Sequence, residues 1–402
     1  MKSSSFDVII VGGGIVGMAT ARALLSRQRC ALLVLEAENA IGMHQTGHNS
    51  GVIHSGLYYK PGSLKAKNCV TGRIALYEYC RQRGIPHEQC GKLVVATRPH
   101  EISALKKLER RGKENGLQGI RLVSREEIRN HEPFAWGVAG LHVPDTGIVD
   151  FSHVLESMAE DVIRAGGVIR CGERITQCHR DGNDISLITE TTRHRSRNII
   201  NCAGLHSDRV ARICGVDPGL RIIPFRGEYY ELIPEKRHMI RNLVYPVPDP
   251  QFPFLGVHFT RMIDGSIEAG PNEVLAFKRE GYRRTDFSVR DISEYMMFGG
   301  FWRMAALHWK MGLMEQWRSY VKSAFVSSLQ RLVPDLTGGD VMPAGSGVRA
   351  QALEPNGHLV DDFRIIEGSH MIHVLNAPSP AATASMSIGN TIAEKAIGYF
   401  FD

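Results

Sequence analysis

The sequence predicts an α/β protein in which a Rossmann-type dinucleotide-binding domain carries a second domain built on a mixed or antiparallel sheet. Three observations predict it. The first 35 residues read strand, glycine-rich turn, helix, strand. Near residue 221 the pattern changes to short strand-like runs between Pro and Gly clusters. The chain then closes on a strand at 371–375 and a helix from about 381, which return to the first pattern.

The elements follow in order. Residues 6–11 form an apolar strand, 12–17 a glycine-rich turn, 15–26 a helix and 31–35 a second apolar strand. That is a βαβ unit, which implies a right-handed crossover and a parallel sheet. Helical periodicity recurs at 63–83 and 101–115, with a strand at 92–96 between them. A helix at 151–165 ends at Gly166-Gly167. Residues 168–201 read as strands broken by the turn Asp181-Gly182-Asn183, and the apolar run 199–202 stops at Ala203-Gly204 before a helix at 205–214. The runs 222–232, 242–246, 256–261 and 266–270 suggest an antiparallel sheet in its own layer. Residues 290–333 are helical in character. The expected division is discontinuous: 1–90, 141–220 and 340–402 bind the dinucleotide, while 91–140 and 221–339 form a cap over the substrate.

The fingerprint is Gly12-x-Gly14-x-x-Gly17, placed between a predicted strand and a helix that opens at Ile15. Gly12 permits the tight turn, Gly14 lets the backbone approach a pyrophosphate, and Gly17 permits close helix–strand packing. The helix N-terminus then offers amides and a positive dipole end to the phosphates. Glu36 ends the second strand, where a carboxylate accepts hydrogen bonds from a ribose hydroxyl and repels a 2′-phosphate. That argues against NADP; the fingerprint alone serves NAD and FAD equally.

Composition narrows the class. The chain has 402 residues and 43% hydrophobic content, enough for two or three domains. Its net charge of +6 is modest and dispersed, so nucleic acid is not an expected partner. Eight cysteines occur without a C-x-x-C pair, which points to a reduced, cytoplasmic compartment and not to zinc or a disulfide framework. No metal-ligand constellation is expected. The N-terminus lacks the features of a signal peptide, and no apolar run reaches transmembrane length.

A second motif is more specific: His44-Gln45-Thr46-Gly47-His48-Asn49-Ser50-Gly51-Val52-Ile53-His54-Ser55-Gly56-Leu57-Tyr58-Tyr59, then Lys60-Pro61-Gly62-Ser63-Leu64-Lys65-Ala66. With Pro224-Phe225-Arg226-Gly227-Glu228-Tyr229, Phe254-Leu255-Gly256-Val257-His258-Phe259-Thr260-Arg261, Gly345-Ser346-Gly347-Val348-Arg349-Ala350-Gln351 and Asn376-Ala377-Pro378-Ser379-Pro380-Ala381-Ala382-Thr383, it closely resembles the L-2-hydroxyglutarate dehydrogenase/oxidase family. That family sits within the D-amino-acid-oxidase-like FAD enzymes. The resemblance spans nearly the whole chain. It implies a glutathione-reductase-type FAD domain with a substrate cap, non-covalent FAD, and oxidation of a small dicarboxylate, L-2-hydroxyglutarate, to 2-oxoglutarate. The electrons would pass to a quinone or to oxygen. An amino-acid or amine oxidase of the same fold, an FAD enzyme acting on tRNA and a non-catalytic flavin-binding assembly protein are the alternatives.

Site residues follow from both readings. Thr46, Asn49 and Ser50 lie in a polar loop positioned to donate to pyrophosphate or flavin oxygens. The resemblance implies that Ile175 touches the adenine through its backbone and that Ala203 and Gly204 pass close to the cofactor. It also implies that a helix opening at Ala381, Ala382 and Thr383 points its N-terminus at the flavin, where reduction gathers negative charge. Arg349 offers a planar fork for a carboxylate. Arg226, on a cap strand, would bind a second carboxylate or pair with Glu228. A base must take the hydroxyl proton, and histidine suits it. His54, in the flavin-proximal loop, is the first choice, and His258, on a cap strand, the second.

Residues 296–318 carry Trp302, Trp309 and Trp317 with methionines and basic residues nearby. Phe298, Trp302, Ala305, Trp309 and Leu313 share one helical face. Such a face either packs into a core or lies in a bilayer interface. The second option places the protein peripherally, on the cytoplasmic face of the inner membrane.

Overall fold

The computed structural model describes residues 5–182, 184–248 and 256–401. Asn183 of the expected turn and Phe254-Leu255 lie outside these residues.

The fingerprint folds as its pattern requires. Strand Ser5–Val11 runs into helix Ile15–Leu25, and strand Leu32–Leu35 returns parallel to the first. Arg193–Asn201 lies parallel on the other side of Ser5–Val11, and Met371–Asn376 continues the sheet from the far end of the chain. Every residue of Leu32–Leu35 is buried, and so is all of Met371–Asn376. Central parallel strands are covered on both faces, hence the unbroken apolar runs. One covering layer is made by Ile15–Leu25, Leu64–Arg83, Phe151–Arg164 and Ala381–Phe400, through Met18, Leu76, Val154 and Ile392.

The second sheet is mixed. Its order is Val274–Leu275, Arg221–Leu232, Ile267–Gly270, His258–Arg261, Leu243–Pro246, Lys92–Ala96, Ala139–Val143 and Arg121–Val123, with Val341–Leu353 along the other edge of Arg221–Leu232. Leu243–Pro246 and Lys92–Ala96 are parallel neighbours, whereas a wholly antiparallel layer was expected from residues 221–276 alone. The expected boundaries also shift. Ala139–Val143 pairs with Lys92–Ala96, so the division at 140/141 would cut a strand. Val341–Leu353 pairs with Arg221–Leu232 from Leu353 opposite Arg221 to Val341 opposite Leu232. It therefore belongs to the cap sheet, not to the segment that begins at 340.

Side-chain alternation gives this sheet two different faces. Leu93, Val95, Val244, Phe259, Ala269 and Leu232 pack against Phe325, Val326 and Leu329 of helix Lys322–Leu329. The opposite face carries Lys92, Tyr245, His258 and Arg349, and it looks toward the nucleotide-binding domain.

The helical stretch resolves into Val289–Met296, Gly299–Tyr320 and Lys322–Leu329. In Gly299–Tyr320 only Gly300, Phe301, Met304 and Ser319 are buried. Trp302, Trp309, Leu313 and Trp317 are 54%, 56%, 62% and 62% exposed, so this face does not pack into the core. No helix among the described residues is long and apolar enough to cross a membrane.

Candidate active site

The nucleotide cradle is built by the first 50 residues. Gly12 has φ +113, a left-handed conformation that disfavours other residues, and a Cβ there would strike the Cys202 carbonyl. A Cβ on Gly17 would strike the Gly12 carbonyl. A Cβ on Gly14 would meet only Thr46 Oγ1 at 3.4 Å, so that backbone faces open space. This is a cradle that a side chain would fill and a pyrophosphate fits. Ile15 N–H donates to Thr46 Oγ1 at 3.1 Å. Glu36 is buried at the end of its strand, and its carboxylate accepts from Gly13 N at 2.7 Å and Glu38 N at 2.9 Å.

The other expected contacts are distributed as follows. Asn49 braces its own loop: Oδ1 accepts from Gly51 N at 2.8 Å and Nδ2 donates to Thr46 O, which turns this side chain away from a donor role to the cofactor. Ser50 is half-buried beside it. Ile175 opens strand Ile175–Asp181 and is buried with Leu33 and Leu35. Ala203 N donates to Asn201 Oδ1 at 3.1 Å, and Gly204 turns with φ +50. Ala381 and Ala382 open helix Ala381–Phe400. Thr383 ties this helix to the His54 loop, since its Oγ1 accepts from His54 N at 3.0 Å and donates to Val52 O at 3.2 Å.

Facing this loop, the cap sheet presents His258, Tyr245, Lys92 and Arg349. The His258 ring stacks on Tyr245 at 3.9 Å between centroids. Its Nδ1 lies 2.8 Å from Gly256 O. A carbonyl only accepts, so Nδ1 carries the proton and the lone pair sits on Nε2. Burial, reinforced by Arg349 and Lys92, holds His258 in its neutral form down to about 3. Burial does the same for His54, also to about 3, with Lys92, Arg349 and Lys65 adding positive charge around it and the neighbouring His258 ring disfavouring a second imidazolium.

Lys92 was not expected from sequence. It is 2% exposed, with its ammonium 4.4 Å from the Tyr58 ring and 4.8 Å from that of Tyr245. No carboxylate pairs with it among the described residues, and burial pulls its pKa down to about 7. The only sequence signal was a lysine opening the otherwise apolar strand Lys92–Ala96.

Arg349 NH1 donates to Glu273 Oε1 at 2.9 Å, and Tyr229 also bonds the guanidinium. Register explains the geometry. Arg349 stands opposite Phe225, and Val274 opposite Arg226, which puts Glu273 level with Gly227 on the same face as Arg349. With no side chain on Gly227, the ion pair reaches across the intervening strand. Arg226 points to the other face. Its Nε and NH2 donate to Glu228 Oε1 at 3.2 and 2.9 Å and NH1 donates to Arg283 O, so it is a buried structural pair and not a second carboxylate clamp.

One acidic cluster was also invisible to spacing. Glu38, His44 and Glu280 bring their ligand atoms within 4.8 Å of one another. Arg174 and His206 already reach Glu280 Oε1 at 3.4 and 2.7 Å, which makes this an ion-pair network.

Comparison with known proteins identifies the family. The profile of a protein family described as FAD dependent oxidoreductase matches residues 7–395. A protein of Indibacter alkaliphilus named L-2-hydroxyglutarate dehydrogenase is 49% identical, covering 98% of this chain and 100% of its own. The human mitochondrial protein of that name is 46% identical, covering 98% and 89%. The Escherichia coli K12 protein is 43% identical, covering 97% and 93%. Among solved structures, FAD-bound L-alpha-glycerophosphate oxidase of Mycoplasma pneumoniae superposes with a TM-score of 0.79 at 22% identity, covering 99% of this chain and 95% of its own. Glycine oxidase of Geobacillus kaustophilus gives 0.71 at 16%, covering 97% and 94%. These two share the fold.

Proposed function

Because the chain belongs to the family of FAD-dependent oxidoreductases, we propose that it oxidises L-2-hydroxyglutarate to 2-oxoglutarate. The observation that carries this reading is a pair of cations, Arg349 and Lys92, on one face of the cap sheet beside two neutral imidazoles. A dicarboxylate needs two cationic grips, and a hydroxyl needs a proton acceptor. The names of relatives at 43–49% identity support the same substrate.

The cradle at Gly12, Gly14, Thr46 and Glu36 would hold non-covalent FAD, which would supply the hydride acceptor for the α-carbon hydrogen. Arg349 takes the carboxylate next to the hydroxyl with the free part of its fork. Lys92 takes the distal carboxylate, the role sequence had offered to Arg226. His258 Nε2 accepts the hydroxyl proton, because its hydrogen bond to Gly256 fixes the tautomer in advance. His54, the first choice from sequence, borders the same space without such a fixed partner and helps to orient the hydroxyl. Tyr58 and Tyr245 exclude water around Lys92 and so strengthen its hold on an anion.

A quinone or oxygen would be the final electron acceptor. The exposed face of Gly299–Tyr320 favours a membrane quinone: its tryptophans and Leu313 stand in solvent, with Arg303 and Lys310 alongside. This supports peripheral docking on an anionic membrane surface.

Anaerobic titration of the yellow protein tests the substrate. L-2-Hydroxyglutarate should bleach the flavin, while D-2-hydroxyglutarate, glycine and D-amino acids should not. Bleaching by an amino acid alone would overturn the reading in favour of an amine oxidase.

A further inference from the structure

Among the described residues Glu273 is the one carboxylate paired with the substrate-facing arginine, and its place in the cap sheet gives it a task. Its side chain is almost fully buried and bonds Arg349 through a single oxygen. Among the described residues, three ionisable groups face it. Arg349 comes from strand Val341–Leu353, Tyr229 from strand Arg221–Leu232, and Glu315 from helix Gly299–Tyr320. Glu315 accepts the Glu273 backbone N–H at 3.3 Å, and Arg318 spends its own charge on Glu315 at 2.6 Å. Arg349 is thus the only cation on this list that balances Glu273, and it is the cation the substrate must use.

We propose that Glu273 takes up a proton when an anionic substrate binds Arg349, so that the site captures its ligand as an anion plus a proton. The inference rests on Arg349 being the carboxylate clamp. Before binding, Arg349 balances one carboxylate. After binding it must balance two, with Glu315 close behind the first. A buried carboxylate that loses its counter-charge is costly, and protonation removes that cost. Burial already pushes Glu273 up to about 7 in spite of Arg349, so the proton is within reach at neutral pH. The proton comes from solvent and returns there when the product leaves; no bond to carbon is involved.

The test uses FAD-loaded enzyme and glutarate, a dicarboxylate with no hydroxyl to oxidise, followed by its perturbation of the flavin spectrum. Dissociation constants are measured against pH for wild type and Glu273→Gln. Lys92 and the histidines titrate in both proteins, so the ratio of wild-type to variant Kd isolates Glu273. The expected ratio climbs with pH above about 7, approaching tenfold per unit, so the variant binds more tightly than wild type in alkali. An infrared difference spectrum with 13C-labelled glutarate should show a protonated-carboxyl band on binding in wild type that Glu273→Gln lacks. A flat ratio, or a band that persists in the variant, overturns the inference while leaving the clamp intact. No glutarate binding at any pH removes the dicarboxylate reading, and the inference with it.

Discussion

Arg226 and Arg349 leave the cap sheet on opposite faces, although they stand only one register step apart on paired strands. Arg349 shares its face with Glu273, and Arg226 is spent on Glu228 among buried partners. The two arginines should therefore fail differently. Arg349→Lys keeps the charge and loses the fork, with an expected drop in kcat/KM of about ten- to a thousandfold, or roughly 1.4–4 kcal/mol. Arg226→Met removes one of the two guanidiniums on Glu228, leaving Arg284 bonded to it at 3.0 and 3.1 Å, and should cost about 1–2 kcal/mol of stability, read as a lower Tm, with kcat/KM of the folded enzyme nearly unchanged. Equal kinetic losses would put both side chains in the pocket.

The cradle above Gly14 predicts cofactor loss. Gly14→Val fills the space that faces Thr46 Oγ1, and the purified variant should be colourless. Wild type should release FAD on heat denaturation. A variant that keeps a full complement of flavin would remove Gly14 from the phosphate path.

His258 and His54 are separated by their hydrogen bonds. His258→Ala should bind FAD normally and reduce it slowly in anaerobic stopped flow, while His54→Ala should lose less. Both rings are held neutral down to about 3. A base with a depressed pKa is competent above that value and fails only as pH falls toward it. The acid limb of flavin reduction should lie well below the ordinary histidine value of about 6.5. An inflection at that ordinary value that disappears in His258→Ala would mean the ring is not desolvated during turnover.

Lys92 should act through binding. Its ammonium is charged below about 7 and loses charge as pH rises. Lys92→Met keeps the stem against Tyr58 and Tyr245. It should raise KM for the dicarboxylate far more than it lowers kcat, and should narrow the preference over a 2-hydroxy acid that lacks the distal carboxylate. An unchanged ratio between those two substrates would leave the second grip unassigned.

The membrane reading is tested by flotation with anionic liposomes at low salt. Wild type should float, and a Trp302→Ser/Trp309→Ser variant with intact FAD should not. Wild type that stays at the bottom ends this reading and makes a diffusible acceptor the better candidate.

What sequence could and could not tell follows from distance along the chain. Gly12, Gly14, Gly17 and Glu36 were legible because one βαβ unit sets their geometry within a few dozen residues. Arg349 was singled out through the resemblance carried by its neighbours, Gly347 and Val348, and the register sets it on the same face as Glu273. Lys92 was not, since its partners Tyr58 and Tyr245 come from a distant loop and another strand, and a lysine that opens a strand resembles an ordinary surface end. Arg226 was ambiguous for a sharper reason. Whether a strand residue faces the pocket or the core depends on parity, and parity is fixed only by the register with Val341–Leu353. The misplaced boundary at 340 has the same origin.

The last helix carries a consequence for biosynthesis. Ala381–Phe400 lies against Ile15–Leu25 so closely that a Cβ on Gly389 would strike the backbone at Ala19. Its Thr383 also holds the loop that carries His54. A ribosome thus completes the glycine turn hundreds of residues before it makes the wall that the turn's own helix rests on. Flavin loading should therefore require helix Ala381–Phe400, and a nascent chain arrested before Pro380 should emerge without colour.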